Sequence, residues 1–171
     1  RDMVEAGSGR SIMGNHEWNA IGFATRDPKT GEYLRPRTKN KRLQHAAFLE
    51  QVGEESLLHK ELVGWMKTLP PFLDFGDVRL CHAWWNPVEI TRIGTAVDAN
   101  GALAEGFLIE SFRKGGALWR AMAHSQSRSQ SRSQTHGQRP WSRVCCGSCA
   151  TSRPAKLKFL PCWGKRRFQA S

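Results

Sequence analysis

Gly14-Asn15-His16-Glu17 sets an amide oxygen, an imidazole and a carboxylate on consecutive positions directly behind the short apolar stretch Ile12-Met13. Amide oxygen and imidazole nitrogen suit borderline divalent cations such as Mn²⁺, Fe²⁺ or Zn²⁺. A tight turn carrying them suits a metal ion held beside a phosphate. A second imidazole, His82, ends another apolar run, Val78-Arg79-Leu80-Cys81. With both runs read as strands, Asn15, His16 and His82 lie at strand carboxyl ends, where open α/β sheets gather ligands. Each residue also has a plain reading. Asn15 and His16 could be ordinary turn residues, and His82 a hydrogen-bonded core histidine. The pairing of the two blocks favours the site.

The elements that must position these residues read as a mixed α/β domain over residues 1–122. Residues 1–6 read as the last turns of a helix stopped by Gly7, and residues 10–13 as a short buried strand. Asp27-Pro28-Lys29-Thr30-Gly31-Glu32 is turn chemistry. Residues 42–52 have helical spacing. A second helix is expected over 54–68, with Leu57, Leu58, Leu62, Trp65 and Met66 on its inner face, ended by Pro70-Pro71. Phe72-Leu73-Asp74-Phe75 and Val78-Arg79-Leu80-Cys81, separated by Gly76-Asp77, predict a hairpin. Residues 102–113 and 117–122 read as helices split by Gly115-Gly116.

Charge divides the chain sharply. The formal net charge is +11 over 171 residues, which by itself suggests a nucleic-acid or membrane-surface partner. Residues 1–122 hold 16 Lys/Arg against 15 Asp/Glu, a net of +1, whereas residues 123–171 hold 10 Lys/Arg and no acidic residue. The first part is therefore a near-neutral globular domain. In it, Arg35, Arg37, Lys39, Lys41 and Arg42 form a basic loop. Arg35, Arg37 and Lys39 are candidates for binding substrate phosphate, although such runs are commonly solvated faces. His45 beside them reads as structural. Trp84 and Trp85 could stack on a nucleobase, but packing is the better reading. Cys81 is the only cysteine before residue 123, which fits a reducing, cytoplasmic compartment. No apolar run approaches a membrane span, so no membrane partner is expected.

From Ala123 onward the composition is Ser-Gln/Ser-Arg repeat and then aperiodic sequence. Cys146-x-x-Cys149 with Cys162 and His136 allows a zinc-site reading, and the Ser-Arg repeats an RNA-binding one. Loss of every acid with gains in Arg, Ser, Cys and Trp is better explained by a GC-rich gene translated out of frame. On that expectation 123–171 is a low-complexity basic tail, disordered or out of frame, and a nucleic-acid partner follows only if the tail is genuine. The alternative function is then a basic nucleic-acid-binding protein acting through this Arg/Ser tail.

The string Ile12-Met13-Gly14-Asn15-His16-Glu17-Trp18-Asn19-Ala20 resembles the Gly-Asn-His-Glu block of the calcineurin-like metallophosphoesterases, and Val78 to Pro87 resembles their later block in which a strand ends in a metal-binding His. Lys39-Asn40-Lys41-Arg42-Leu43-Gln44-His45-Ala46-Ala47-Phe48-Leu49 is similar to the bacterial branch related to Ser/Thr protein phosphatases and diadenosine tetraphosphatases. The resemblance covers roughly residues 1–122. It implies an αββα sandwich and two divalent metals (Mn, Fe, Zn or Ni, with Mn favoured). The substrate would be a phosphorylated small molecule, a nucleotide or a phosphoprotein. By the same resemblance Asn15 and His82 are metal ligands, His16 protonates or stabilises the leaving oxygen, and Glu17 orients His16. The family's Asp-x-His, Gly-Asp-x-x-Asp and Gly-His-x-His blocks do not occur here. The chain is therefore expected to be an incomplete phosphoesterase, inactive as it stands.

Overall fold

The computed structural model describes residues 1–126 and the backbone of Val144–Cys145. Among the described residues, helices α1 (Asp2–Glu5), α2 (Asn15–Ala24), α3 (Lys39–Gln44), α4 (Ala46–Val52) and α5 (Leu57–Lys67) precede the strands β1 (Phe72–Asp74) and β2 (Arg79–Cys81). Helices α6 (Pro87–Gly94), α7 (Glu105–Glu110) and α8 (Ala117–Gln126) follow, and then β3 (Val144–Cys145). The expected hairpin is present. β1 and β2 pair antiparallel with Phe72 opposite Cys81, and β3 lies parallel to β2 on its other side. The zinc-site and RNA-binding readings rest on side chains outside the described residues.

Several sequence expectations are corrected. Residues 10–13 form no strand; the segment is tied down instead at Met13, whose N–H donates to the Pro70 carbonyl at 2.8 Å and whose carbonyl accepts from Gln126 Nε2 at 3.0 Å. Four apolar-flanked residues are too few to distinguish a strand from a buried extended link. Asn15 and His16 do not sit on a turn after a strand but open the ten-residue helix α2. Its start is set by Glu17, whose carboxylate accepts the Gly14 N–H at 2.9 Å from the third helical position, the carboxylate half of a capping box. The helix expected over 42–52 is broken at His45 into α3 and α4.

On α5 the expected inner face is shifted. Leu57 and Leu58 are 85% and 47% exposed, while His59 and Val63 are buried. Ser56 begins the helix by accepting the His59 N–H at 3.0 Å, which puts both leucines in the first turn, ahead of the stretch that meets the core. Helix α6 was unforeseen, yet Asn86 caps it through Val88 N–H at 2.9 Å and Pro87 occupies its first position.

The core gathers Met13, Trp18, Ile21, Val63, Ile93, Leu118 and Met122. α2 packs on α5, and α6 on α8. Trp18 is 7% exposed, stacks on Phe112 with centroids 5.0 Å apart, and donates its indole N–H to Ser111 Oγ at 3.1 Å. This partner removes the cost of burying the indole nitrogen.

Helix α8 runs past the compositional break. Ser125 and Gln126 are its last residues and are 1% and 3% exposed. The globular part therefore extends four residues beyond Met122.

Two glycines in helices test the packing. A Cβ at Gly22 would lie 2.7 Å from Cζ and 2.9 Å from Cδ1 of Phe112, a ring held by Trp18. Helix propensity favours Ala over Gly by about 1 kcal/mol, but overpacking a core costs about 1–3 kcal/mol. Gly22→Ala is expected to destabilise, whereas Gly64→Ala, with open space around its Cβ, is expected to stabilise by up to about 1 kcal/mol. Urea midpoints of the two variants check this; equal signs would contradict the packing.

Candidate functional site

The two blocks read from sequence meet. With no side chain at Gly14, the His82 ring lies close against its Cα. A Cβ there would be 3.1 Å from His82 Nδ1, 3.3 Å from Cε1 and 2.7 Å from Glu17 Oε2. The backbone of Gly14 is extended, with φ −97°, so glycine is favoured here by the close approach and not by a left-handed conformation. The first N–H groups of α2 have no intrahelical acceptor and favour negative charge.

Electrostatics places the remaining groups. Burial pushes the His82 imidazole below its ordinary range, the Glu17 carboxylate pulls it back up, and His16 lowers it. His45, 5% exposed, is pushed down to about 4, first by burial and then by Arg35, His16 and Lys41. His16 thus stands within electrostatic reach of both histidines, linking the first block to His82 on one side and to the basic segment on the other.

The three candidate phosphate-binding cations have different settings. Arg35 is 9% exposed; its guanidinium donates to Gln44 Oε1 at 2.7 Å and stands 3.5 Å from His45 Nε2. Arg37 is used in the fold: it bonds the Phe23 carbonyl at 3.2 Å, pairs with Glu54 at 3.0 Å, and lies 3.8 Å over the Tyr33 ring. Lys39 is exposed at the start of α3 and lines a groove with Arg42, Leu43 and Glu50. Glu17, expected to orient His16, has its carboxylate on the Gly14 N–H. Trp85 packs edge-on against Phe72 at 5.6 Å, and Trp84 faces His124 at 6.2 Å.

The donor set is short for two metals. Among the described residues no group of three or more His, Cys, Asp or Glu side chains is placed to hold a metal ion. Asn15 and His82, the two expected ligands, would provide two donors, whereas two-metal phosphatases clamp both the attacking and the leaving oxygen between their ions. The described residues therefore do not fit a self-sufficient two-metal centre. Among the described residues, no helix is long and apolar enough to cross a membrane. No protein-family model, curated protein or solved structure matches the chain significantly.

Residues that sequence reading did not assign to the site are Arg35's partner Gln44 and the pair Ser125-Gln126. Gln126 Nε2 donates to the Met13 carbonyl at 3.0 Å, one residue before Gly14. Only the continued helical period of α8 could have signalled this.

Two outcomes follow from this geometry. Gly14→Ala requires the Glu17 carboxylate or the His82 ring to move, at a cost of about 1–3 kcal/mol, read as a lowered urea midpoint at pH 7. For His45, the folded pKa lies below the unfolded value of 6.5. The unfolded chain then binds the proton first, so stability is full above about pH 6.5 and falls as pH drops toward about 4. At 1.36 kcal/mol per unit the loss is on the order of 2–3 kcal/mol, with buried His59 and half-buried His82 acting in the same direction. His45→Phe should flatten that profile by about this amount; an unchanged urea-midpoint slope between pH 6.5 and 4 would exclude the assignment.

Proposed function

We propose that residues 1–126 carry the phosphate-facing part of a metallophosphoesterase site. Asn15 and His82 are its metal-side donors and His16 is its proton-bearing group. The observation that supports this reading is the contact between the blocks: Gly14 and His82 are 68 positions apart in sequence, yet the imidazole comes within 3.1 Å of where a Gly14 Cβ would stand. An imidazole beside the N–H groups of a helix start can donate a proton to a phosphate-ester leaving oxygen through its ring N–H. The substrate class is a phosphate ester, and its anionic end would be favoured by the start of α2 and by the basic segment around Arg35 and Lys41. Cytoplasmic placement belongs to the same proposal.

The reading separates binding from turnover. Inorganic phosphate should shift the amide resonances of Asn15 and His16, and Mn²⁺ should broaden the His82 imidazole signals, weakly, because two donors hold it. His82→Ala should abolish the broadening while leaving the phosphate shift. With p-nitrophenyl phosphate and Mn²⁺ the chain should show no turnover above background. The absence of both NMR effects would overturn the site. Mn²⁺-dependent turnover removed by His16→Ala would instead overturn the claim that the donor set is insufficient.

A further inference from the structure

The two blocks belong to differently packed parts of the fold. α2 packs chiefly on α5, whereas β2 lies in the sheet between β1 and β3. A third segment bridges them. At the end of α8, the Ser125 carbonyl accepts the Ala83 N–H at 3.0 Å, and Gln126 Nε2 donates to the Met13 carbonyl at 3.0 Å. Ala83 is the residue after His82 and Met13 the residue before Gly14, so each bond grips its block one residue from the group that matters. Ser125 is itself anchored, its hydroxyl donating to the Met122 carbonyl at 3.0 Å.

We propose that the last turn of α8 is the clasp that sets the Gly14–Glu17 block against His82, with Gln126 as its positioning residue. The inference rests on the phosphoesterase reading only in calling the clasped residues a site. Gln126 makes a poor filler. Its Oε1 is buried without a hydrogen-bond partner among the described residues, which leaves the desolvation of that oxygen uncompensated. An apolar side chain of similar length would escape that cost. What the amide adds is one directional bond, and that bond fixes the carbonyl at the entrance to α2. The clasp also draws on Ser125-Gln126, the opening residues of the Ser-Gln repeat, making that much of the repeat part of the site's frame.

The test is amide hydrogen exchange on the whole chain. Gln126→Met keeps the length and removes the donor. Exchange at Met13, Gly14 and Ala83 should accelerate at least tenfold, with Val63 in the middle of α5 staying within twofold. A Gln126 that only contributed general stability would raise all four together, because every amide exchanging through global opening follows the same free energy. Joint acceleration, or no change at Met13, Gly14 and Ala83, overturns the clasp. The unmutated chain gives a second reading that does not depend on the variant folding. The Met13, Gly14, Ala83 and Gln126 amides should open together, with one common denaturant slope distinct from that of Val63; four separate slopes overturn the proposal. A clasp seen by exchange together with no phosphate or Mn²⁺ response would defeat the phosphoesterase reading alone.

Discussion

Met13 is the point on which the structure turns. It is fully buried, its N–H donates to the Pro70 carbonyl at 2.8 Å, and its own carbonyl receives Gln126 Nε2 at 3.0 Å. Three segments distant in sequence therefore meet at one residue. Burial of the side chain is worth about 1.5–3 kcal/mol, and each buried hydrogen bond adds about 1 kcal/mol net. The larger effect is geometric. With both polar groups of Met13 committed, the direction in which the chain leaves it is set, and the next residue, Gly14, begins α2. Where α2 points, and hence where Asn15 and His16 lie, follows from that one residue's two bonds.

The surroundings of the site favour neutral imidazoles. His45 is held neutral by burial and by three cationic or potentially cationic neighbours, and burial acts on His82 in the same sense. A neutral ring is what metal coordination requires of a histidine. The opposing pull from Glu17 on His82 is smaller than the effect of burial, and the same carboxylate is engaged as the cap of α2. One carboxylate thus starts a helix and moderates a histidine. Neither role adds a ligand to the two donors proposed for a metal.

What was legible in the sequence depended on how local the cause was. The hairpin of β1 and β2 was legible because Gly76-Asp77 between two apolar runs is a local signal. The meeting of Gly14 with His82 was expected from two apolar runs read as strands ending at one sheet edge; the blocks do meet, although residues 10–13 are not a strand. The misreadings have the same root. Gly14-x-x-Glu17 suits a catalytic turn by residue type, and the same glutamate is a helix-start signal three residues from its cap. Leu57 and Leu58 were placed inward by their type, but Ser56 starts the helix so late that they fall on its open first turn. Arg35 and Arg37 were grouped with Lys39 by charge; Arg35 is instead buried beside His45 and Arg37 is clamped between Tyr33 and Glu54.

The end of α8 shows why composition and packing draw different boundaries. Composition is an average over many residues, and from Ala123 onward it is basic and polar. Burial is decided one side chain at a time, by which face of the helix a residue occupies. Leu118, Ala121, Met122 and Ser125 are all buried and stand at successive steps of three, one and three residues, the stripe of an amphipathic helix. Ser125 continues that stripe, although its type gives a hydropathy scan no apolar signal. It is small enough to fit, and its hydroxyl is satisfied by Met122 in its own helix. Outside the stripe, His124 stays partly exposed, 3.5 Å from Glu89 and facing Trp84. The helix thus uses the opening of the polar repeat for what its positions require: a small residue against the core, and an amide within reach of the Met13 carbonyl.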